Sequence, residues 1–298
     1  MAIDRVIVVG AGAIGSLYAA KLSSHADVMV VARHVHADAI NRGGLKVVGV
    51  ESFTARIAAT TAVERVAPGT LILLTTKVND NRAAVDPLVE HLPDETTILC
   101  LQNGYGGEQI VRDAIGGRKP NVVVLRAITQ FGAIFQEPGV VDYKVAGHTL
   151  IERHPRSDAI AALFTACGLK ATVTEAIAAQ VWWKLIFNCV INPITSITGT
   201  EVGGIADPRL DPLKQRVVDE CLAVARAEGI TFAIDFMQTI TEVFGTSRNI
   251  ASMRQDLLKR KPTEIEHMNG AVVRLGARHG IACPVNEALV AMIKALER

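Results

Sequence analysis

The chain has 298 residues, room for two domains, and its 31 Lys and Arg against 30 Asp and Glu leave no net field to draw nucleic acid or an acidic membrane surface. Its residues are 49% hydrophobic, yet the apolar stretches are broken by Lys, Asn or Gly well short of a bilayer span, and five scattered Cys and eight His lack disulfide or metal-ligand spacing. Met1 to Arg5 run straight into a strand without a basic-then-apolar leader pattern, so the expectation is a soluble, cytoplasmic protein acting on small molecules.

Val/Ile-rich runs at 5–9 and 27–32 flank a helix-period segment at 13–22, a βαβ opening. Gly10-Ala11-Gly12-Ala13-Ile14-Gly15 lies between the first strand and that helix, the context in which G-x-G-x-x-G binds a dinucleotide. The first glycine permits the tight turn, the second lets the backbone approach a pyrophosphate, and the third lets helix and strand pack closely. The phosphates then meet the helix N-terminus. Where an NAD-preferring site places an acid for the ribose 2′-hydroxyl, at the end of the second strand, this chain has Arg33. A cation there favours a 2′-phosphate and predicts NADPH; the plain alternative is a solvent-facing Arg at a strand end.

Strands follow at 71–75, 97–101 and 121–125, with helices at 82–90 and 108–115, which predicts a parallel sheet covered on both faces. Lys77 and Asn103 close two of those strands at the carboxyl edge, where open α/β sheets bind ligands. Their alternatives are an exposed loop lysine and an Asn-Gly turn. Segments 128–133, 140–145 and 149–152 are expected to extend the sheet, with a turn at Glu137-Pro138-Gly139, before a helix at 159–167 and a last strand at 170–174. From residue 175 the pattern is helical throughout, at 176–192, 208–228, 234–243, 251–259, 263–279 and 286–297. The expected fold is therefore α/β: a Rossmann-type dinucleotide-binding domain at 1–174 followed by an all-α domain at 175–298.

Lys184, Asn188 and Asn192 recur every fourth residue in an otherwise apolar helix. At about 100° per residue they drift by only about 40° each step and share one stripe. Buried without partners they would cost roughly 1–3 kcal/mol each, so the stripe is expected to line a cleft that a polar ligand fills. Lys184 then supplies a proton and the asparagines hold a carbonyl or hydroxyl. A water-facing stripe is the alternative, although an exposed face normally mixes charges and this one has no acid.

With the glycine loop, Thr75-Thr76-Lys77, Gln102-Asn103-Gly104, Lys184-x-x-x-Asn188-Cys189-Val190-Ile191-Asn192-Pro193, Ser252-Met253 and Thr263-Glu264-Ile265-Glu266-x-x-Asn269-Gly270 in this order, the chain resembles the ketopantoate reductase family, also called 2-dehydropantoate 2-reductases. The resemblance implies NADPH-dependent reduction of 2-dehydropantoate to (R)-pantoate, toward pantothenate and coenzyme A. It assigns the proton donor to Lys184, substrate contacts to Asn103, Asn188, Asn192 and Ser252, and the active-site glutamate to Glu264. Gly10 to Gly15, Arg33, Lys77, Asn103, Ala133 and Glu264 fall on its cofactor positions. Read by itself, Glu264 is equally a first-turn carboxylate favouring the helix dipole.

Two segments depart from the family pattern. Many members have an Asn-Gly pair where this chain reads Glu201-Val202-Gly203, leaving Thr200 or Glu201 to take that contact, and Leu125-Arg126-Ala127-Ile128 replaces a glycine-rich strand start and is expected to put an Arg near the cleft. Other readings on the same scaffold are a reductase of another 2-oxo acid or its amino-acid adduct, and an NADPH sensor without turnover. The expected partner is a small 2-oxo acid, with no metal, nucleic acid or membrane, and a homodimer as the candidate assembly.

Overall fold

The structure, a computed structural model, describes residues 3–297. It divides into two compact units, Met1–Ile177 and Ala178–Arg298.

The first unit runs β1 (Arg5–Val9), α1 (Ala13–Leu22), β2 (Asp27–Val31), α2 (His34–Gly43), β3 (Leu45–Gly49), β4 (Phe53–Ala55), β5 (Ala58–Thr60), β6 (Leu71–Leu74), α3 (Asn81–Val89), β7 (Thr97–Cys100) and α4 (Gly107–Ile115). It continues through β8 (Val123–Thr129), β9 (Gly132–Glu137), β10 (Val140–Val145), β11 (Thr149–Glu152), α5 (Ser157–Ala166) and β12 (Ala171–Thr174). The main sheet has the order β12-β11-β8-β7-β6-β1-β2-β5, and only the β8–β11 pairing is antiparallel. From β5 to β8 this is the 3-2-1-4-5-6 order of the doubly wound dinucleotide fold, whose direction reverses between β1 and β6.

Alternation along the strands feeds two cores. Val6, Val8, Leu71, Leu73 and Leu99 join α1 and α5 on one face, while Ile7, Val9, Ile72, Leu74 and Ile98 join α3 and α4 on the other. Both faces being dry, the strands read as continuous apolar runs.

Two expectations about this unit are corrected. Segments 121–125 and 128–133 are not separate strands: β8 runs unbroken from Val123 to Thr129, and the next strand starts at Gly132. The segment 140–145 does not extend the main sheet either. With β3, β4 and β9 it forms a second sheet ordered β4-β3-β10-β9, in which β3 pairs parallel to β10 across nearly a hundred residues. Leu45, Val47, Val141 and Tyr143 of that sheet share a core with α1, which is why α1 is buried from Gly15 to Leu22 and has no polar face.

The second unit is helical: α6 (Ile177–Thr198), α7 (Asp211–Ala227), α8 (Phe236–Phe244), α9 (Ser252–Leu258), α10 (Asn269–Arg278) and α11 (Pro284–Leu296). Here α6 passes Pro193 and continues to Thr198, where the sequence suggested a stop at Asn192. A proline inside a helix removes one N–H and strands the carbonyl four residues back, here that of Cys189. The Asn269 side-chain amide donates to that carbonyl at 2.9 Å and takes the missing donor's place. The single helix expected at 263–279 is in fact a 3-10 turn, Ile265–His267, then α10, separated by Met268 at φ −114°, ψ −102°. Among the described residues no helix is long and apolar enough to cross a membrane.

Candidate active site

The carboxyl edge of the main sheet in the first unit carries most of the residues assigned to a cofactor. Gly10 has φ +98°, and a Cβ there would lie 2.7 Å from the Thr76 amide nitrogen. At Gly15 a Cβ would run into the Gly10 carbonyl and Thr75 Oγ1. Thr75 Oγ1 in turn donates to the Gly10 carbonyl at 2.7 Å, stitching the ends of β1 and β6 where the sheet order reverses. Gly12 is different, because it is exposed and a Cβ there would meet nothing within 4 Å. Its want of a side chain has no packing cause, and the open space before it suits a group that needs close backbone approach. Gly12 is also the cap residue of α1, which carries no acid in its first turn, so Ala13, Ile14 and Gly15 present their amides to that space without a competing carboxylate. The residues present therefore fit a dinucleotide pyrophosphate.

Arg33 caps the start of α2, exposed and with no ion pair among the described residues, where a 2′-phosphate would find its guanidinium available. Lys77 is half-buried and caps a 3-10 turn, Val78–Asp80. Asn103 is half-buried in the loop after β7, between Gln102 and the left-handed Gly104 at φ +79°. A buried Asn81, which the sequence reading did not single out, joins these two loops. Its Oδ1 accepts from Thr76 Oγ1 and from Gln102 Nε2, both at 2.9 Å, and its Nδ2 donates to the Gly107 carbonyl at 3.0 Å. The only signal in the sequence is an Asn four residues after Lys77, in a run, Asn79-Asp80-Asn81, that reads as an ordinary loop. Ala133 lies apart on β9, across from Tyr143, and offers only its main chain.

His36 supplies a further brace. The Gly139 amide donates to His36 Nδ1 at 2.9 Å, so the ring proton sits on Nε2 and faces Ser16 Oγ at 3.2 Å. Ser16 Oγ donates to the Ala11 carbonyl at 3.2 Å, which links α2, the β9–β10 turn and the glycine loop. Burial holds the His36 imidazole below its ordinary pKa.

In the second unit, α6 carries the Lys184-Asn188-Asn192 stripe. Lys184 and Asn188 are half-buried, and Asn192, 6% exposed, directs Nδ2 at Met268 Sδ 3.4 Å away. Thioether sulfur is a weak acceptor, so this carboxamide is held loosely. Met268 follows the 3-10 turn that Glu264 caps, which brings the glutamate's segment against α6. Glu264 is 5% exposed and caps that three-residue 3-10 turn without a side-chain capping bond. Thr263 beside it is anchored through its amide and hydroxyl to Glu297 Oε1, at 2.9 and 2.6 Å. Ser252 opens α9 and is exposed.

The two departures resolve structurally. Val202 is buried, and its amide and that of Gly203 donate to the Asn249 and Ser247 carbonyls at 2.8 and 2.7 Å. A Cβ on Gly203 would lie 2.8 Å from the Ser247 oxygen, so this segment is packed backbone to backbone. Thr200 Oγ1 is 3.0 Å from Thr198 Oγ1, and Glu201 is exposed. Arg126 is buried within the first unit, at 4% exposure. Its place in the middle of β8, opposite Cys100, buries it.

A doubly wound dinucleotide fold followed by a helical unit with a lysine and two carboxamides on one stripe defines the class of nicotinamide-dependent oxidoreductases. Residues 6–156 match the family described as ketopantoate reductase PanE/ApbA, and residues 176–297 match its C-terminal part. A 2-dehydropantoate 2-reductase of Pyrococcus horikoshii is 35% identical, over 98% of this chain and 97% of that one. The crystal structure of a PanE/ApbA family ketopantoate reductase from Ralstonia eutropha superposes with a TM-score of 0.91 at 29% identity, covering 98% of both chains. A D-mandelate dehydrogenase solved with NADH and anilino(oxo)acetate has a TM-score of 0.87 at 24% identity over 98% of both chains, a likeness of fold alone. The chain belongs to the ketopantoate reductase PanE/ApbA family.

Proposed function

We propose that this protein reduces the ketone of 2-dehydropantoate to the hydroxyl of (R)-pantoate at the expense of NADPH. The observation that carries the reading is Lys184, one half-buried cation on an apolar helix, followed at four-residue spacing by two carboxamides. Family membership and the full-length relatives named 2-dehydropantoate 2-reductase support the same substrate.

In this reading residues 1–174 hold the cofactor and residues 175–298 the acid. Gly10 to Gly15 bind the pyrophosphate through main-chain amides, Arg33 pairs with the 2′-phosphate, and Lys77, Asn103 and Ala133 line the remainder of the cofactor. When bound, NADPH supplies the hydride that reduces the ketone carbon. The Lys184 ammonium donates a hydrogen bond to the ketone oxygen, stabilises the negative charge that develops there, and passes its proton to it, so that oxygen ends as a neutral hydroxyl. Asn188, Asn192 and Ser252 orient the acid, with Asn103 reaching from the cofactor side. Glu264 is the second catalytic group and a further cofactor contact. The protein acts in the cytoplasm on a free small molecule, without nucleic acid or membrane, and we take a homodimer as its assembly.

Steady-state NADPH oxidation with ketopantoate, with a panel of other 2-oxo acids and NADH in parallel, tests this directly. Lys184→Ala should lower kcat by about 10²- to 10⁴-fold, the usual worth of a general acid, while NADPH still binds. Arg33→Ala should cut the preference for NADPH over NADH by roughly 10- to 100-fold, the loss of charge-assisted bonds to a phosphate. Turnover of another 2-oxo acid with ketopantoate inert would move the substrate but keep the chemistry. Silence across the panel despite NADPH binding would overturn it.

A further inference from the structure

Arg126 is a buried cation that serves its own stability poorly. Nε and Nη1 have no hydrogen-bond partner, and Gln102 Oε1 and Glu108 Oε2 near it are also buried without one. The carboxylate of Glu108 is 3.6 Å from Nη1, long for a hydrogen bond. Replacing a buried ion pair as a whole by hydrophobes is often neutral for stability, whereas removing one partner alone is costly. What a hydrophobe would not reproduce is the third nitrogen. Arg126 Nη2 donates to the carbonyls of Gln102 at 2.7 Å and Gly104 at 3.0 Å, the two residues that flank Asn103. The Arg126 main chain is held in its strand, where its amide also donates to Glu152 Oε2 at 2.9 Å.

We propose that Arg126 is a positioning residue, whose Nη2 grips the peptide on each side of Asn103 and so sets the Asn103 side chain at the cofactor edge of the sheet. The inference rests on the reading of Asn103 as a cofactor contact. Asn81 holds the same loop from the other side through Gln102 Nε2, so the loop has a brace on β8 and a second on α3. The loop needs such braces because Gly104 and Gly106, both at positive φ, give its backbone little stiffness of its own.

The test is a double-mutant cycle read by kcat/KM for NADPH and by NADPH Kd, with thermal midpoints recorded alongside. Asn103→Ala alone should weaken both readouts. Arg126→Met should weaken them by roughly 10- to 100-fold, as loss of a supporting contact typically does, and in the Asn103→Ala background it should add nothing. Should the Met variant not fold, Arg126→Lys carries the same comparison: it keeps a charge beside Glu108 but cannot reproduce a planar fork. A merely structural Arg126 would shift the melting midpoint and leave the per-site kinetic constants alone. An Arg126 effect that persists undiminished in the Asn103→Ala background, or no kinetic effect at all, overturns the inference. A silent Asn103→Ala instead overturns the reading of Asn103 on which it rests, and the inference with it.

Discussion

A Cβ at Gly15 would strike the Gly10 carbonyl and Thr75 Oγ1, whereas one at Gly12 would enter open space, so the two glycines answer differently to the same methyl group. Gly15→Ala overpacks the contact between α1 and the β1–β6 edge and should cost about 1–3 kcal/mol of stability, read as a lower urea midpoint. Gly12 sits at φ −74° and ψ −162°, a conformation alanine adopts freely, so Gly12→Ala should cost no more than about 1 kcal/mol through a weaker cap. Its NADPH Kd should nonetheless rise about tenfold or more, because the methyl occupies the space the pyrophosphate needs. Wild-type affinity in Gly12→Ala would remove the loop from the cofactor site. The close packing at Gly15 was legible in the sequence, since G-x-G-x-x-G between a strand and a helix gives its third glycine to helix–strand contact. The braces from Asn81 and Arg126 were not, because Gln102 and the Gly104 carbonyl reach them only when segments 21 to 24 residues away in the chain lie side by side.

Along α6 the physics is that of a helix carried past its own breaker. Pro193 lacks the N–H that would bond the Cys189 carbonyl, and Asn269, 80 residues further along the chain, donates to it instead. The same amide donates to Asn286 Oδ1 at 2.9 Å, and Asn286 Nδ2 reaches Glu220 Oε2 at 2.7 Å, so α6, α10, α11 and α7 meet on one polar thread through a dry interior. Asn269→Ala should lower unfolding stability by about 1–3 kcal/mol, the cost of leaving buried acceptors unpaired. In a Pro193→Ala background, where residue 193 regains its N–H, part of that cost should vanish. Equal costs in both backgrounds would show that the carbonyl is not what Asn269 serves. The sequence places a helix end at Pro193 for sound local reasons, and only the side chain that compensates reverses it. The polar stripe survives this change, because its spacing lies upstream of the proline.

For the molecule as a whole, sequence period revealed the parallel sheet and the helical second half, because strands dry on both faces and helices of ten or more residues leave strong signals. The pairing of the small sheet left almost none, although its strand at 140–145 was read with the right bounds. Its strands are three to six residues long, and β3 finds its parallel partner β10 far along the chain, so the register is set by burial against α1 rather than by any local turn. What ties that sheet to the glycine loop is His36, and this gives stability a pH dependence with a definite sign. The Gly139 amide donates to Nδ1, and a protonated ring would set a second N–H against it, while burial alone already holds the folded imidazole below its ordinary value. The unfolded chain therefore takes up a proton first as pH falls. Stability from neutral His36 is fully present above the unfolded pKa of about 6.5 and declines from there toward the lower folded value. Glu297 adds a second loss in stronger acid. Burial raises its pKa, but hydrogen bonds from Thr263 and Lys294 outweigh that and hold it below the ordinary carboxylate value, so its contribution disappears as pH falls through the folded value. The urea midpoint should accordingly drop between about pH 8 and about pH 5.5, and His36→Gln, which keeps an acceptor and a donor but does not titrate, should flatten that slope. A variant that retained the wild-type slope would transfer the effect to another histidine and leave the small sheet's tie to the cofactor loop insensitive to acid.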